Sequence, residues 1–345
     1  MKAFDACRFS IGVSVLLCSA CFLTPQKAKA QQTWNLTVGA ESRDQAKQAE
    51  AFLPNEVWIR PGDSVTWTAQ PKNEPHTVTF LTPNGIVPPP PPPDGPPPCP
   101  PPPGGVQPSG SSFIGASCVT SGPLTNGAAY TVKFPTAGNY QLICLFHPDM
   151  TGVVHVVSTN PQSPFYMATL PYIQADYDKQ GRDNASDMIG DTDTPYEERN
   201  DFRRSLNAVL MTGEESATAG GREQFSIVRF LPGKIVVHVG DTVEWVNTDP
   251  AEPHTVTFGT EPDNPMAQVN VKTDGDGALH GTIGSPTDSV SSGFLLNTAE
   301  NATGSPLPPK GLTRIRITFT HAGTYKYICV LHDVSGMLGT VLVLP

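Results

Sequence analysis

Two sets of metal-ligating residues with the same order of types stand out in this chain. The first set is His76, Cys144, His147 and Met150, and the second is His254, Cys329, His332 and Met337. Two imidazoles, a thiolate and a thioether are the donors of a trigonal His₂Cys copper site with a weak axial methionine, which serves electron transfer. Zinc rarely accepts methionine and prefers tetrahedral Cys/His sets. The residues therefore predict two copper sites.

Both sets belong to an internal repeat. Residues 51–67 match residues 229–245 at an offset of 178 residues, which carries the first histidine of one set onto that of the other. The sequence EPHTVTF surrounds both of these histidines. Residues 137–144 match residues 322–329 at an offset of 185 residues. Unlike insertions absorb the difference, and we expect them in surface loops.

The local pattern of both copies is that of β-strands. Residues 130–134 and 314–319 alternate apolar and polar side chains, as half-buried strands do. Each copy ends in an apolar run, at 152–157 and 339–344. Short strands separated by Gly, Pro and Asp turns predict an all-β chain built from antiparallel sandwiches.

With these motifs in view, both halves resemble the cupredoxins, the small blue copper β-sandwiches that include plastocyanin, amicyanin and azurin. The Cys-x₂-His-x₂-Met spacing from Cys144 to Met150 is typical of amicyanin. The longer Cys-x₂-His-x₄-Met spacing from Cys329 to Met337 is typical of plastocyanin. The resemblance implies two Greek-key sandwiches, and it assigns one type 1 copper to each of the two residue sets.

The resemblance carries two further expectations about the sites. Many family members have asparagine after the first histidine, near the cysteine sulfur, whereas this chain has Thr77 and Thr255. Because hydrogen bonds around that sulfur tune the redox potential, the ligand set carries over but the potential does not. In the family the second histidine of the set, here His147 or His332, reaches the surface through an apolar patch where a partner docks. The apolar neighbours are Leu145 and Phe146 in the first half and Val330 and Leu331 in the second.

The N-terminus predicts export. Residues 1–30 contain Lys2 and Arg8, an apolar stretch too short for a comfortable membrane span, and an Ala-Lys-Ala cleavage site. No later segment is as apolar, so the mature protein is expected in the periplasm or the extracellular space without a membrane span. That compartment permits a disulfide between Cys99 and Cys118, the alternative being two free thiols.

Composition divides the mature chain into two domains and a linker. The predicted segments are a first cupredoxin-like domain at 31–158, a partly helical linker at 159–222 and a second cupredoxin-like domain at 223–345. A polyproline insertion at 87–108 cannot join a sheet. A Gly/Asp/Ser-rich insertion at about 260–292 is expected to be an irregular loop. In the linker, short helices are expected near 171–181 and 196–206.

Charge and the residues around the cysteines limit the function. The formal net charge of −10 argues against nucleic acid or an anionic membrane as partner and fits docking to a redox protein with a basic patch. Leu145 and Val330 follow the ligand cysteines, where nitrite reductases and laccases have a histidine that leads to a catalytic copper. The chain also has no His-x-His pair. We therefore do not expect an enzyme.

These observations favour an exported protein that passes single electrons between redox partners through two type 1 coppers. A different hypothesis is a copper-binding module for storage or delivery, without redox turnover. The third hypothesis, a copper oxidase or reductase, is the least favoured because the ligands for a catalytic copper are missing.

Overall fold

Strands are the main regular structure of the described chain, and they follow the period-two pattern of the sequence. The computed structural model describes residues 31–81, 106–115, 118–147, 150–190, 208–218, 220–296 and 313–345. The predicted signal at 1–30, most of the polyproline insertion and the expected helix near 196–206 lie outside these residues.

Ten strands precede the helix. Their bounds are β1 Thr33–Glu41, β2 Lys47–Leu53, β3 Glu56–Ile59, β4 Ser64–Ala69, β5 Thr79–Phe80, β6 Ser111–Ser112, β7 Val119–Thr120, β8 Ala129–Lys133, β9 Gly138–Ile143 and β10 Thr151–Val156. In β4, β8 and β10 every second side chain is buried, as in strands with one face on a core. The strands predicted at 130–134 and 152–157 are confirmed.

The helix and eleven further strands follow. Their bounds are α1 Gln174–Gly190, β11 Ala208–Thr218, β12 Gly221–Leu231, β13 Lys234–His238, β14 Thr242–Asn247, β15 Thr257–Phe258, β16 Val271–Thr273, β17 Leu279–Ile283, β18 Val290–Ser291, β19 Arg314–Phe319, β20 Gly323–Ile328 and β21 Leu338–Leu344, with a 3₁₀ helix at Asp333–Ser335. The strands predicted at 314–319 and 339–344 are confirmed.

The insertion at 260–292 is more ordered than the sequence suggested. It contains β16, β17 and β18, so the expectation of an irregular loop was wrong for these segments. In β17 the side of Leu279, Gly281 and Ile283 is buried, and the strand pairs in parallel with β19. The prediction of an irregular loop rested on the polar composition of the whole insertion, and that average does not show a short alternation of buried and exposed residues.

The described strands form three sheets. The long sheet has the order β16-β17-β19-β14-β11-β12-β2-β1-β4-β8-β6, and the two five-stranded sheets have the orders β3-β10-β9-β5-β7 and β13-β21-β20-β15-β18. Each half has its own hydrophobic core, which draws side chains from the long sheet and from one short sheet. Trp67 and Phe80 lie in the first core, and Trp245 and Phe258 lie in the second. The predicted all-β sandwich fold is confirmed.

The antiparallel pair β2 and β12 joins the two halves. In this pair Ala49 lies opposite Phe225, and Lys47 lies opposite Ile227. The repeat offset of 178 residues converts the first of these pairs into the second. The two halves therefore meet through the same strand of each copy in an approximately two-fold arrangement, like the self-complementary contact of a symmetric dimer.

The segment between the halves packs against the first half. Tyr177 of α1 is buried; its hydroxyl accepts a hydrogen bond from the backbone N–H of Trp58 at 2.8 Å, and its ring meets the edge of Trp34. The helix expected near 171–181 is confirmed, although it extends to residue 190. Residues 208–218 and 221–222 differ from the predicted linker, because they form β11 and the start of β12 within the long sheet.

The structure bears on two expectations connected with export, the disulfide of Cys118 and the lack of a membrane span. Cys118 is disulfide-bonded. Its predicted partner Cys99 lies outside the described residues, so the pairing stays a prediction. No helix in the described part of the chain is long and apolar enough to cross a membrane.

Trp67→Ala is expected to lower the stability of both halves together. Trp67 is buried in the first core, and truncating a buried tryptophan costs about 3–5 kcal/mol. Because β2 and β12 make the sheet continuous across the halves, we expect one cooperative urea transition, shifted as a whole in far-UV circular dichroism. Val236→Ala, at a half-exposed position, should leave the midpoint nearly unchanged. Loss of only half of the β signal at lower urea would contradict this expectation.

Candidate metal centres

A short backbone bridge positions the distant histidine of each set. His76 exchanges two backbone hydrogen bonds with Leu124, at 3.0 and 2.8 Å. His254 exchanges two with Leu295, at 3.1 and 2.8 Å. Both histidines precede a two-residue strand, β5 or β15, and both imidazoles are fully buried. The repeated sequence therefore gives the repeated position.

The loops that follow β9 and β20 carry the other ligands. The backbone N–H of Cys144 donates to the carbonyl of Met150 at 3.0 Å, and that of Cys329 donates to the carbonyl of Met337 at 3.2 Å. Each loop thus closes on itself with its cysteine and methionine side chains buried. The longer second loop accommodates its extra residues in the 3₁₀ helix at Asp333–Ser335.

The structure brings the two histidines and the cysteine of the first predicted set together. The Nδ1 atoms of His76 and His147 lie 3.0 Å apart, and Sγ of Cys144 lies 3.4 Å from Nδ1 of His147. One ligand atom from each of the three residues falls within 4.8 Å of the others. A soft thiolate with two imidazole nitrogens in one buried cluster fits copper.

The second predicted set has the same arrangement. Sγ of Cys329 lies 3.4 Å from Nδ1 of His332 and 3.9 Å from Nδ1 of His254. These ligand atoms also lie within 4.8 Å of one another, and all three side chains are buried. The donor set again fits copper.

The threonines that replace the usual asparagine hold the two ligand segments together. The backbone N–H of Thr77 donates to Sγ of Cys144 at 3.3 Å, and its Oγ1 accepts from the backbone N–H of Leu145 at 2.8 Å. Thr255 makes the same two hydrogen bonds in the second site, at 3.4 and 2.8 Å. The residue type differs from the common family pattern, but the cysteine sulfur still receives a hydrogen bond. Such a bond can tune the redox potential of a metal bound to the sulfur.

The histidines favour the thiolate form of both cysteines. Burial opposes ionisation of the Cys144 thiol, but the neighbouring His147 outweighs it and holds the pKa of Cys144 well below its ordinary value. His332 has the same effect on the pKa of Cys329, against the same cost of burial. Because the thiolate is the form that binds a metal, both sites present the required ligand.

A buried carboxylate supports only one of the two distant histidines. Nε2 of His254 lies 3.2 Å from Oδ2 of Asp249, and both side chains are fully buried. Burial lowers the pKa of His254, but the hydrogen bond to Asp249 outweighs it and raises this pKa to about 9. In the first half the repeat places Pro71 at the corresponding position. Accordingly, Nε2 of His76 has no hydrogen-bond partner among the described residues.

Gly39 makes room for the first of these imidazoles. It lies at a β-bulge of β1 with a φ of 67°, a conformation that favours glycine. A Cβ atom there would lie 2.2 Å from Nε2 of His76. Any other residue would displace the ligand.

Two buried glutamates, which the sequence analysis missed, lie between the two sites. The carboxylate of Glu74 lies 3.2 Å from Nε2 of His147 and 3.4 Å from Nε2 of His332. The carboxylate of Glu252 lies 2.8 Å and 3.5 Å from the same two nitrogens. Both glutamates stand two residues before a distant histidine, in the repeated Glu-Pro-His sequence, and this repetition was the available signal. We call these four side chains the interhalf cluster.

The charges in the interhalf cluster compensate one another in the metal-free protein. Burial would raise the pKa of Glu74, but hydrogen bonds from His147 and His332 outweigh it and lower that pKa. The pKa of Glu252 is lowered by the same histidines against burial and repulsion from Glu74. Despite burial, both histidine pKa values are raised well above their ordinary value. Glu50 nearby has its pKa raised well above the ordinary value by burial and by Glu252.

The expectation that His147 and His332 reach the surface is wrong. The exposed fractions of His147 and His332 are 1% and 3%, because each directs Nε2 toward the two glutamates and not toward solvent. Two of the predicted apolar neighbours, Leu145 and Phe146, are exposed. The apolar neighbours in the second half are partly buried. Only the first half therefore keeps an open apolar surface directly after its cysteine.

Comparisons with known proteins agree with this geometry for the second half. The family model described as copper binding proteins, plastocyanin/azurin family, matches residues 217–344. No curated protein matches the chain.

Among solved structures, a reduced Cu(I) amicyanin variant shares 19% identity over 38% of this chain and 86% of its own, with a TM-score of 0.23. Another Cu(I) amicyanin variant shares 26% identity over 32% of this chain and 70% of its own, with a TM-score of 0.19. A fern plastocyanin variant shares 16% identity over 40% of this chain and 99% of its own, with a TM-score of 0.22.

Residues 217–344 are therefore similar to the plastocyanin/azurin family of copper binding proteins. The cupredoxin resemblance found in the sequence is confirmed for this part of the chain. The first half has a second cluster of the same donor types.

Thr77→Val is expected to destabilise the first ligand loop. The substitution keeps the shape of the side chain but removes the hydroxyl that accepts from the Leu145 N–H. A buried donor left without its partner costs about 1–3 kcal/mol. Because this bond is only part-buried, the free energy of unfolding of the metal-free protein in urea should fall by about 1 kcal/mol, at the low end of that range. Thr77→Ser, which retains the hydroxyl, is the control. A valine variant as stable as wild type would show that this hydrogen bond is unimportant.

Asp249→Asn is expected to weaken copper binding at the second site alone. A carboxylate that holds a ligand histidine contributes about 10–100-fold in metal affinity, and Asp249 holds His254. Competition with a chelator should show this loss in a Cys144→Ser background, where only the second site remains. Asp263→Asn, at an exposed position, is the control.

The same variant should change the pH dependence of binding. Because the pKa of metal-free His254 is raised to about 9, copper must displace a proton from it below that pH, and this residue should contribute a rise in affinity with pH until about 9. Asp249→Asn lowers this pKa, so the rise should end at a lower pH. An unchanged affinity and an unchanged pH profile would exclude the supporting role of Asp249.

Proposed function

We propose that the chain is an exported blue copper electron carrier with one type 1 copper in each half. The observation that carries the proposal is the pair of buried clusters in which a thiolate and two imidazole nitrogens converge within 4.8 Å. The proposed ligands are His76, Cys144, His147 and Met150 for the first copper and His254, Cys329, His332 and Met337 for the second. The two methionines would be the weak axial ligands.

The chain's own residues would hold the ligands and exclude water. When bound, copper supplies one-electron chemistry between its Cu(I) and Cu(II) states. The ligand side chains lie in close-packed cores, so they have little room to rearrange between the two states. A closed, buried site also opposes rapid exchange of the metal. Both features support an electron carrier over a protein that stores or delivers copper.

We further propose that a redox partner docks beside the first site. Leu145 directly follows the ligand Cys144, and with Phe146 it forms an exposed apolar surface close to the thiolate. The net charge of −10 would favour a partner with a basic patch, through long-range attraction. The histidine edges that the family would use for docking are buried in both halves.

Export is part of the same proposal. Its support is the signal-like composition of residues 1–30 and the disulfide-bonded state of Cys118, since disulfides persist in oxidising compartments. The periplasm and the extracellular space are both consistent with these features.

Removing one thiolate at a time should remove one blue centre at a time. We expect wild-type protein to bind two copper ions per chain, with an intense visible charge-transfer band and type 1 EPR signals that a mild reductant abolishes. Cys144→Ser and Cys329→Ser should each bind one type 1 copper, because the remaining cluster is complete. The measurements are metal analysis, absorption and EPR of the copper-loaded mature protein.

Each alternative function has a distinct outcome in this experiment. A colourless protein that passes copper readily to an apo-acceptor would replace the carrier with the storage or delivery hypothesis. Turnover of nitrite or phenols by the purified protein would revive the enzyme hypothesis. A single blue copper in wild type would show that one of the two clusters does not bind copper.

A further inference from the structure

The interhalf cluster connects a ligand histidine of one site to a ligand histidine of the other. One oxygen of each carboxylate faces His147, and its second oxygen faces His332. Each histidine uses Nδ1 toward its own cysteine, so Nε2 is the atom left to face the carboxylates. Two parallel connections, one through Glu74 and one through Glu252, therefore run between the two metal sites.

Each connection is short and dry. From His147 to His332 the path crosses one carboxylate and two non-bonded contacts, the longest of which is 3.5 Å. All four side chains of the cluster are buried, with exposed fractions of 1% to 6%. Hydrogen-bonded groups in a low-dielectric interior interact more strongly than in water and polarise one another. No layer of solvent separates the two ligand histidines along these paths.

The arrangement also follows the two-fold relation of the halves. Glu74 and Glu252 occupy equivalent positions of the repeat, and each contacts the histidine of its own half and that of the other half. A carboxylate that served only to hold its own histidine would need only the contact within its half, as Asp249 shows with His254. The crossed contacts are the feature that a local supporting role leaves unexplained.

We propose that Glu74 and Glu252 join the two metal sites into one redox unit, through which an electron passes between the halves within the molecule. The inference rests on the proposed copper occupancy of both sites. One electron leaves the reduced site and arrives at the oxidised site, so the total charge of the molecule is unchanged. The step forms or breaks no bond and requires no external oxidant, reductant or proton donor.

The variants that test this keep the size of the side chains. In the double variant Glu74→Gln/Glu252→Gln, each amide has an NH₂ donor in place of one carboxylate oxygen. Because the two histidines face different oxygens of each carboxylate, each amide then presents an acceptor to only one of them. Either single variant keeps one bridging carboxylate, so it should retain the connection that the double variant loses. Glu223→Gln is the matched control, because Glu223 is a buried carboxylate on β12 outside the cluster.

The first measurement needs no copper. Nitrogen-15 NMR of the metal-free protein should show the Nε2–H signals of His147 and His332 protected from exchange with water, since both are buried. Glu252→Gln should shift the signal of His147, across the halves, as well as that of His332. Glu223→Gln should shift neither. A shift confined to His332 would overturn the crossed connection.

The second measurement follows the electron. Met337→Gln gives the second copper a different spectrum, because the axial ligand tunes the site. After reduction with fewer electrons than sites, absorption should show a redistribution between the two coppers at a rate independent of protein concentration. The double Gln variant should slow this rate by about tenfold or more, equivalent to about 1.4 kcal/mol of activation free energy. With either single variant or with Glu223→Gln, the rate should stay close to that of the Met337→Gln protein that keeps both glutamates.

The outcomes separate this inference from the proposed function. Two blue coppers that equilibrate only through collisions between molecules, or a double variant with an unaltered rate, would overturn the inference and leave the electron carrier intact. Three metal ions per chain would place a cation between the carboxylates and would also overturn the hydrogen-bonded connection. Failure to bind copper at both clusters would overturn the inference and the two-copper carrier together.

Discussion

The pairing of β2 with β12 is the constraint on which the rest of the structure depends. It fuses two sandwiches into one long sheet and sets them in an approximately two-fold relation. Because the same strand of each copy forms the contact, the repeated glutamates and ligand histidines occur twice and face their counterparts. The ligand histidines of the two short loops, which a single sandwich would direct to solvent, therefore point toward each other across the junction.

The junction buries two carboxylates, and histidines at the same junction offset the cost of burying them. Two carboxylates buried within a few ångströms of one another would be costly if each stood alone. Glu74 and Glu252 lie instead between two histidines whose pKa values they raise, and the four groups compensate one another. Each glutamate is thus opposed by a histidine of its own half and by one of the other half. The metal sites and the interface between the halves consequently share the same side chains.

The two centres are similar in their ligands and different in their surroundings. Both have a threonine that donates a backbone hydrogen bond to the cysteine sulfur. Asp249 supports His254, whereas Nε2 of His76 has no such partner among the described residues and fits against Gly39. Only the first site has exposed apolar residues directly after its cysteine. The surroundings of the two clusters therefore differ although their donor types are the same.

The sequence by itself determined the features that depend on local spacing. The ligand sets, the strand before each cysteine and the repeat were readable because a period of two and a short loop are properties of neighbouring residues. The tertiary structure alone decided the burial of His147 and His332, the crossed contacts of Glu74 and Glu252, and the place of β11 in the long sheet. These features depend on which edge strands pair and in which register. That choice brings together residues far apart in the chain, and no local pattern encodes it.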